Sequence, residues 1–185
     1  MSNRWMSKTY RTPLKPSPCF SLCGGLTLIE VVVVLGIITI LVVVALPTFI
    51  HYVRDSRLKA AGELIYETLT IMRAEAIRRQ QNVTLVLQSG STWCVGGTTS
   101  SSCDCLVADN CNLGQILGSA YPNTTLSIAS GLGPAVLFGG QRGSVNLPGT
   151  LTLGITGSSS QLSITISALG SLTLCSNNLS GLPKC

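Results

Sequence analysis

The chain has 185 residues, of which only 10% are charged against 45% hydrophobic. Disordered segments combine low hydrophobicity with high charge, so this composition excludes disorder for the bulk of the chain. The net charge of +5 does not signal a broad nucleic-acid face: Arg4, Lys8, Arg11 and Lys15 all stand in the first 25 residues, and from Asn82 onward only Asp104, Asp109, Arg142 and Lys184 are charged.

The first predicted segment is a basic leader, residues 1–25. Residues 26–50, LTLIEVVVVLGIITILVVVALPTFI, follow with Glu30 as their sole acidic or basic group. As a helix they would span about 37 Å, enough for a hydrocarbon core of about 30 Å. The upstream cations would hold the amino terminus in the cytoplasm and place the rest across the membrane. A secretory signal would carry its small-residue cleavage site after the apolar core; here Gly24-Gly25 precede it. A lipoprotein signal fits no better, because Cys23 also precedes the apolar run. Pro47 removes an intrahelical hydrogen bond and predicts a kink near residues 43–47.

The order of basic leader, Gly-Gly, LTLIE and long apolar helix resembles the class III signal of type IV prepilins and type II secretion pseudopilins, carried by Gly25, Leu26, Thr27, Leu28, Ile29, Glu30 and Pro47. The resemblance implies that a prepilin peptidase cuts between Gly25 and Leu26 and methylates the new amino terminus. A carboxylate in lipid costs at least a few kcal/mol unless neutralised or paired. The amine freed at Leu26 of a neighbouring subunit would relieve that cost, which makes Glu30 an assembly determinant.

Helical periodicity continues through residues 51–81. Val53, Leu58, Ala61, Ile65, Leu69, Met72 and Ala76 are expected to form one apolar stripe packed on a globular head. Asp55–Lys59 and Glu75–Arg79 would support the outer face as opposite charges four apart, and Glu63–Glu67 would oppose it. Arg73, Arg78 and Arg79 read as a solvated helix end more readily than as a nucleic-acid site. His51 has no partner at a metal or triad spacing.

Residues 82–185 form the expected β-rich head, with strands at 83–88, 92–95, 124–128, 135–138, 150–155, 162–167 and 171–175 between Gly-, Ser- and Pro-bearing turns. The fold class is α+β: a long, transmembrane amino-terminal helix packed on an antiparallel β-sheet head. The stretch MRAEAIRRQQNVTLVL, the pair Trp93 and Gly96, the run FGGQRG with Phe138, Arg142 and Gly143, and ISALGSLTLC resemble the FimT/GspH group of minor pilins and pseudopilins. DNA-binding members of that group carry a G-R-x-R pattern where this chain reads Gly170, Ser171, Leu172 and Thr173. Arg142 and Lys184 remain as nucleic-acid candidates, and DNA is a disfavoured partner because phosphate binding needs clustered cations.

Eight cysteines stand at 19, 23, 94, 103, 105, 111, 175 and 185. The first two leave with the leader, and six remain for an oxidising compartment, where disulfides persist. The spacing of Cys94, Cys103, Cys105 and Cys111 lacks the paired C-x2-C knuckles of a zinc site. Cys175 would pair with Cys185, leaving either 94–105 with 103–111 or 94–103 with 105–111. No cofactor, metal site or catalytic constellation is expected. The resemblance implies a non-enzymatic minor pilin or pseudopilin acting in filament initiation or at the tip, with a major pilin or a DNA-binding minor pilin as alternatives. Its partners would be other pilins or pseudopilins, the assembly machinery, prepilin peptidase and inner-membrane lipid, and its head would stand in the periplasm.

Overall fold

The computed structural model describes Gly25, residues 27–129 and residues 131–185. The chain divides into two compact units, Met1–Val43 and Val44–Cys185, and one helix, α1 (Leu28–Arg79), runs through both.

In the first unit the helix begins because Thr27 caps it. The Thr27 carbonyl accepts the Glu30 and Val31 amides at 3.1 and 3.2 Å, and its Oγ1 accepts the Glu30 amide at 3.4 Å. Threonine followed three residues later by glutamate is the sequence form of a capping box. From residue 27 to 46 every described side chain is exposed. The hydroxyl inside this apolar stretch, Thr39 Oγ1, donates back to the Leu35 and Gly36 carbonyls at 3.0 and 2.8 Å, so it needs nothing from its surroundings.

In the second unit α1 buries Leu58, Ala61, Ile65, Leu69, Met72 and Ala76 completely. Val53, expected on the same stripe, is only half-buried. It precedes Leu58 by five residues, and five steps of about 100° put it roughly 140° away from Leu58 around the helix. One expected charge pair, Glu75–Arg79, forms, and the other does not. Lys59 approaches Glu63 at 3.9 Å instead of Asp55. Glu75 is shared: Arg78 donates to both its oxygens at 2.6 and 2.7 Å, and Arg79 donates to Oε1. The helix ends at Arg79, two residues earlier than expected. Gln80 adopts φ 53°, the Gln81 amide reaches the Ala76 carbonyl, and the Gln80 amide reaches that of Ile77, which is a Schellman stop.

The head is antiparallel β, as expected for the α+β class, and it divides into two four-stranded sheets. The first, in the order β3-β2-β1-β5, is built from β1 (Val83–Gln88), β2 (Cys94–Thr98), β3 (Gln115–Leu117) and β5 (Ala135–Phe138). The second, β4-β6-β7-β8, comprises β4 (Thr124–Ile128), β6 (Gly149–Ile155), β7 (Gln161–Ile166) and β8 (Leu172–Cys175). A bridge between Gly90 and Leu126 links them. The inner faces, with Leu85, Val136 and Phe138 from one sheet and Leu126, Leu153 and Ile164 from the other, join the helix stripe in one core. Met72 of α1 lies on Gly97 of β2, and Leu162 of β7 lies on Gly62 of α1, so the helix touches both sheets. Trp93 is fully buried where the sheets meet. Its Nε1 donates to Thr124 Oγ1 at 3.0 Å, and its ring stacks on Tyr121 with centroids 6.2 Å apart.

Candidate assembly interface

The exposed apolar helix is the feature that the rest of the fold does not use. Leu28, Ile29, Val31 to Leu35, Ile37, Ile38 and Ile40 to Val44 all present their side chains outward, although burying each such aliphatic group is worth about 1.5–3 kcal/mol. Among the described residues α1 is the one helix long and apolar enough to cross a membrane. Glu30 sits in its first turn with an exposed side chain. Gly25 is described and exposed, whereas Leu26 and the leader lie outside the described residues. Pro47 lies within the helical span Leu28–Arg79.

The cations divide by what they touch. Arg73 is half-buried, and its Nε donates to the Gly143 carbonyl at 3.3 Å and its Nη2 to the Leu169 carbonyl at 3.2 Å. It clamps two turns onto the helix and is therefore no free phosphate ligand. Those turns depend on Gly143 and Gly170, with φ 64° and 74°, and the Gly170 backbone lies against the Gly143 carbonyl; a side chain there would be both strained and obstructed. Arg78 and then Arg79 hold the Glu75 carboxyl down to a pKa of about 2, and Glu75 in turn raises that of Arg78.

The structure does not bring Arg142 and Lys184 together as a site. Arg142 is exposed in the turn whose Gly143 packs on Arg73 and Ile77. Lys184 is exposed in the tail whose Gly181 meets Lys59. Lys59 and Arg73 are separated by fourteen residues of helix, or about 21 Å.

The six cysteines pair as Cys94–Cys105, Cys103–Cys111 and Cys175–Cys185. Cys94, Cys105 and Cys111 form a small second core with Val86 and Leu117. The register puts Val86, Cys94, Gly96 and Leu117 on one face of the first sheet. The two bridges thus staple the polar loop onto the outer face of that sheet, and Gly96 makes room for Cys105 and Cys111. Among the described residues no three His, Cys, Asp or Glu side chains gather as a metal site. Sequence reasoning missed the Thr27 cap, although T-x-x-E was its signal, and the Arg73 clamp, for which no local pattern exists.

A family model described as "Type II transport protein GspH" matches residues 61–170. Among solved structures, the minor pseudopilin EpsH from the type 2 secretion system of Vibrio cholerae superposes with a TM-score of 0.51 at 20% identity, covering 66% of this chain and 98% of that one. The type IV minor pilin FimU of Pseudomonas aeruginosa gives a TM-score of 0.51 at 18% identity, covering 66% of this chain and 91% of that one. No curated protein matches the chain in sequence.

Proposed function

Because the chain belongs to the GspH family of type II transport proteins, we propose that it is a minor pilin or pseudopilin, a structural subunit that acts in the initiation or at the tip of a filament. The observation that carries this reading is the uncovered apolar run of α1 with Glu30 in its first turn, joined to a head braced by three disulfides. Before assembly the run spans the bacterial inner membrane, and the head stands in the oxidising periplasm. Prepilin peptidase removes residues 1–25, and methylation follows at Leu26. Residues 26–50 are the membrane and assembly segment, with Pro47 as its bend. Residues 51–81 carry residues 82–185, the head.

In the filament the apolar run exchanges lipid for the helices of neighbouring subunits. Lipid tails are as apolar as leucine, so that exchange gains little hydrophobic energy and must be steered by packing and polar contacts. Glu30 supplies the polar contact. Ionised in hydrocarbon it costs a few kcal/mol, and a neighbour's free amine at Leu26 removes that cost. The Thr27 cap fixes the first turn, which sets the position from which the carboxylate reaches out.

The test is a Glu30→Ala chain in the native bacterium. Its level in the inner-membrane fraction should equal wild type while its recovery in sheared or cross-linked filaments falls to background. Incorporation at the wild-type level would overturn the assignment of Glu30. A mature chain whose mass still includes the leader would overturn the filament reading itself.

A further inference from the structure

Asp55 is left without the cation that its spacing promises. It is half-buried, and among the described residues its carboxylate makes no ion pair. Lys59, one turn on, leans to Glu63 at 3.9 Å and meets Gly181 of the tail. Taking a carboxylate out of water without a partner costs free energy, so Asp55 is poised to accept a cation from outside the chain. It lines a cleft of about 330 Å³ between α1 and the disulfide-closed tail, with Tyr52 and Ser56 from the helix and Asn178 and Ser180 from the tail. The Asn178 side chain is fixed there, because its Nδ2 donates to the Ser159 carbonyl at 2.6 Å, which leaves Oδ1 as an acceptor. A carboxylate, an amide oxygen and a hydroxyl give the cleft three kinds of acceptor, and a primary ammonium has three N–H donors. An anion suits the cleft less, with Asp55 in its wall and Lys59 drawn off to Glu63.

On the side of the apolar run, Val44, Ala45, Phe49 and Tyr52 line a shallow apolar hollow. Tyr52 borders both the hollow and the cleft. Along the helix Tyr52 stands about 3 Å and Asp55 about 7.5 Å beyond Ile50, where the proposed membrane segment ends. The headgroup layer outside a hydrocarbon core of about 30 Å is about 5–7.5 Å deep on each side. Tyrosine is favoured at that level, since its ring is apolar and its hydroxyl polar. In chain order the helix thus offers an apolar hollow for an acyl chain, a phenol hydroxyl for a phosphate and an acid for an ammonium.

We propose that the hollow and the cleft bind one phosphatidylethanolamine of the periplasmic leaflet, with its ammonium on Asp55 and Asn178, its phosphate beside Tyr52 and an acyl chain along Val44 and Phe49. The proposal rests on the membrane-spanning reading above and gives the membrane-bound chain a lipid preference. Phosphatidylcholine carries the same charges, but its quaternary nitrogen has no N–H to donate. Phosphatidylglycerol has no cation at all. The site therefore discriminates through charge-assisted hydrogen bonds.

The experiment takes the full chain from the native inner membrane into mild detergent and titrates it with short-chain phosphatidylethanolamine, phosphatidylcholine and phosphatidylglycerol. Bound lipid is counted by native mass spectrometry. The expected result is one phosphatidylethanolamine held about tenfold more tightly than either of the others. Asp55→Asn should abolish that preference and Lys59→Met should keep it, with Trp93 fluorescence unchanged in both. Glycerophosphoethanolamine, the same headgroup without acyl chains, should not displace the lipid at equal concentration. The same spectra give the mass of the chain and so show whether it begins at Leu26. A processed, membrane-borne chain overturns the site and leaves the filament reading standing if it holds the three lipids equally, if Asp55→Asn keeps the preference, if Lys59→Met loses it, or if the free headgroup empties it. A chain that retains its leader overturns the filament reading, and one absent from the inner membrane overturns both.

Discussion

Trp93 shows how one side chain can decide whether two sheets make one head. Its indole is fully buried, so its N–H must find an acceptor, and Thr124 of β4 provides it at 3.0 Å. Thr124 Oγ1 in turn donates to the Tyr121 carbonyl at 2.6 Å, which holds the acceptor in place. Replacing the indole with a phenyl ring leaves Thr124 without its donor and opens space against Tyr121. Trp93→Phe should therefore cost about 1–3 kcal/mol, read as a lower urea midpoint for the full chain in detergent. Arg73 is a comparable case on the helix. Arg73→Met keeps the aliphatic stem and removes two hydrogen bonds to carbonyls, for an expected loss of about 1–3 kcal/mol. Arg142→Ala, at an exposed site, should stay within about 0.5 kcal/mol by the same measurement. Equal effects from the two arginines would contradict the clamp.

At the scale of elements, close approach between helix and sheet explains both what the sequence declares and what it hides. Strands β1, β4 and β5 have the bounds that their apolar alternation and flanking turn residues indicate. β2 instead extends through Gly96 and Gly97 to Thr98, and a glycine pair reads locally as a turn. Those glycines are there for packing: Met72 of α1 presses on Gly97, and Cys105 and Cys111 press on Gly96. Gly97→Ala would drive a methyl into the Met72 thioether, with an expected cost of about 1–3 kcal/mol by the same urea titration. β3 was illegible because three residues, Gln115–Leu117, are too few to show a period. The split into two sheets depends on which strands pair, and that information lies between distant residues. The long apolar run and its single glutamate stand out in the sequence because a lone acid in such a run is conspicuous for its cost. The tail beyond β8 is held by the Cys175–Cys185 bridge and by Leu179, which joins the core. Converting both cysteines to serine removes a closure of about ten residues, for an expected loss of about 2–4 kcal/mol by thermal or urea melting. An unchanged midpoint would mean that the tail's hydrogen bonds alone hold it.

Over the whole molecule, scarcity of charge makes stability depend on few titrations. Acid unfolding is driven by carboxylates that are paired in the native state and must take up protons as it is lost. Beyond Asn82 the chain has only Asp104 and Asp109, and much of the head's bracing comes from disulfides, which do not titrate. The strong native pairing is that of Glu75, whose pKa drops from 4.5 to about 2 through Arg78 first and then Arg79. A carboxyl with a depressed native pKa adds stability above its unfolded value, and that contribution disappears as pH falls through the native one. The thermal midpoint should thus be nearly flat from pH 7 to 5 and decline between about 4.5 and 2. Glu75→Gln should flatten much of that decline. The pair is at the surface, so molar salt, which shortens the screening length to about 3 Å, should shrink the wild-type slope as well. A wild-type midpoint that already falls steeply between pH 7 and 5, or a Glu75→Gln chain with an undiminished slope below pH 4.5, would show that the acid sensitivity comes from elsewhere in the fold.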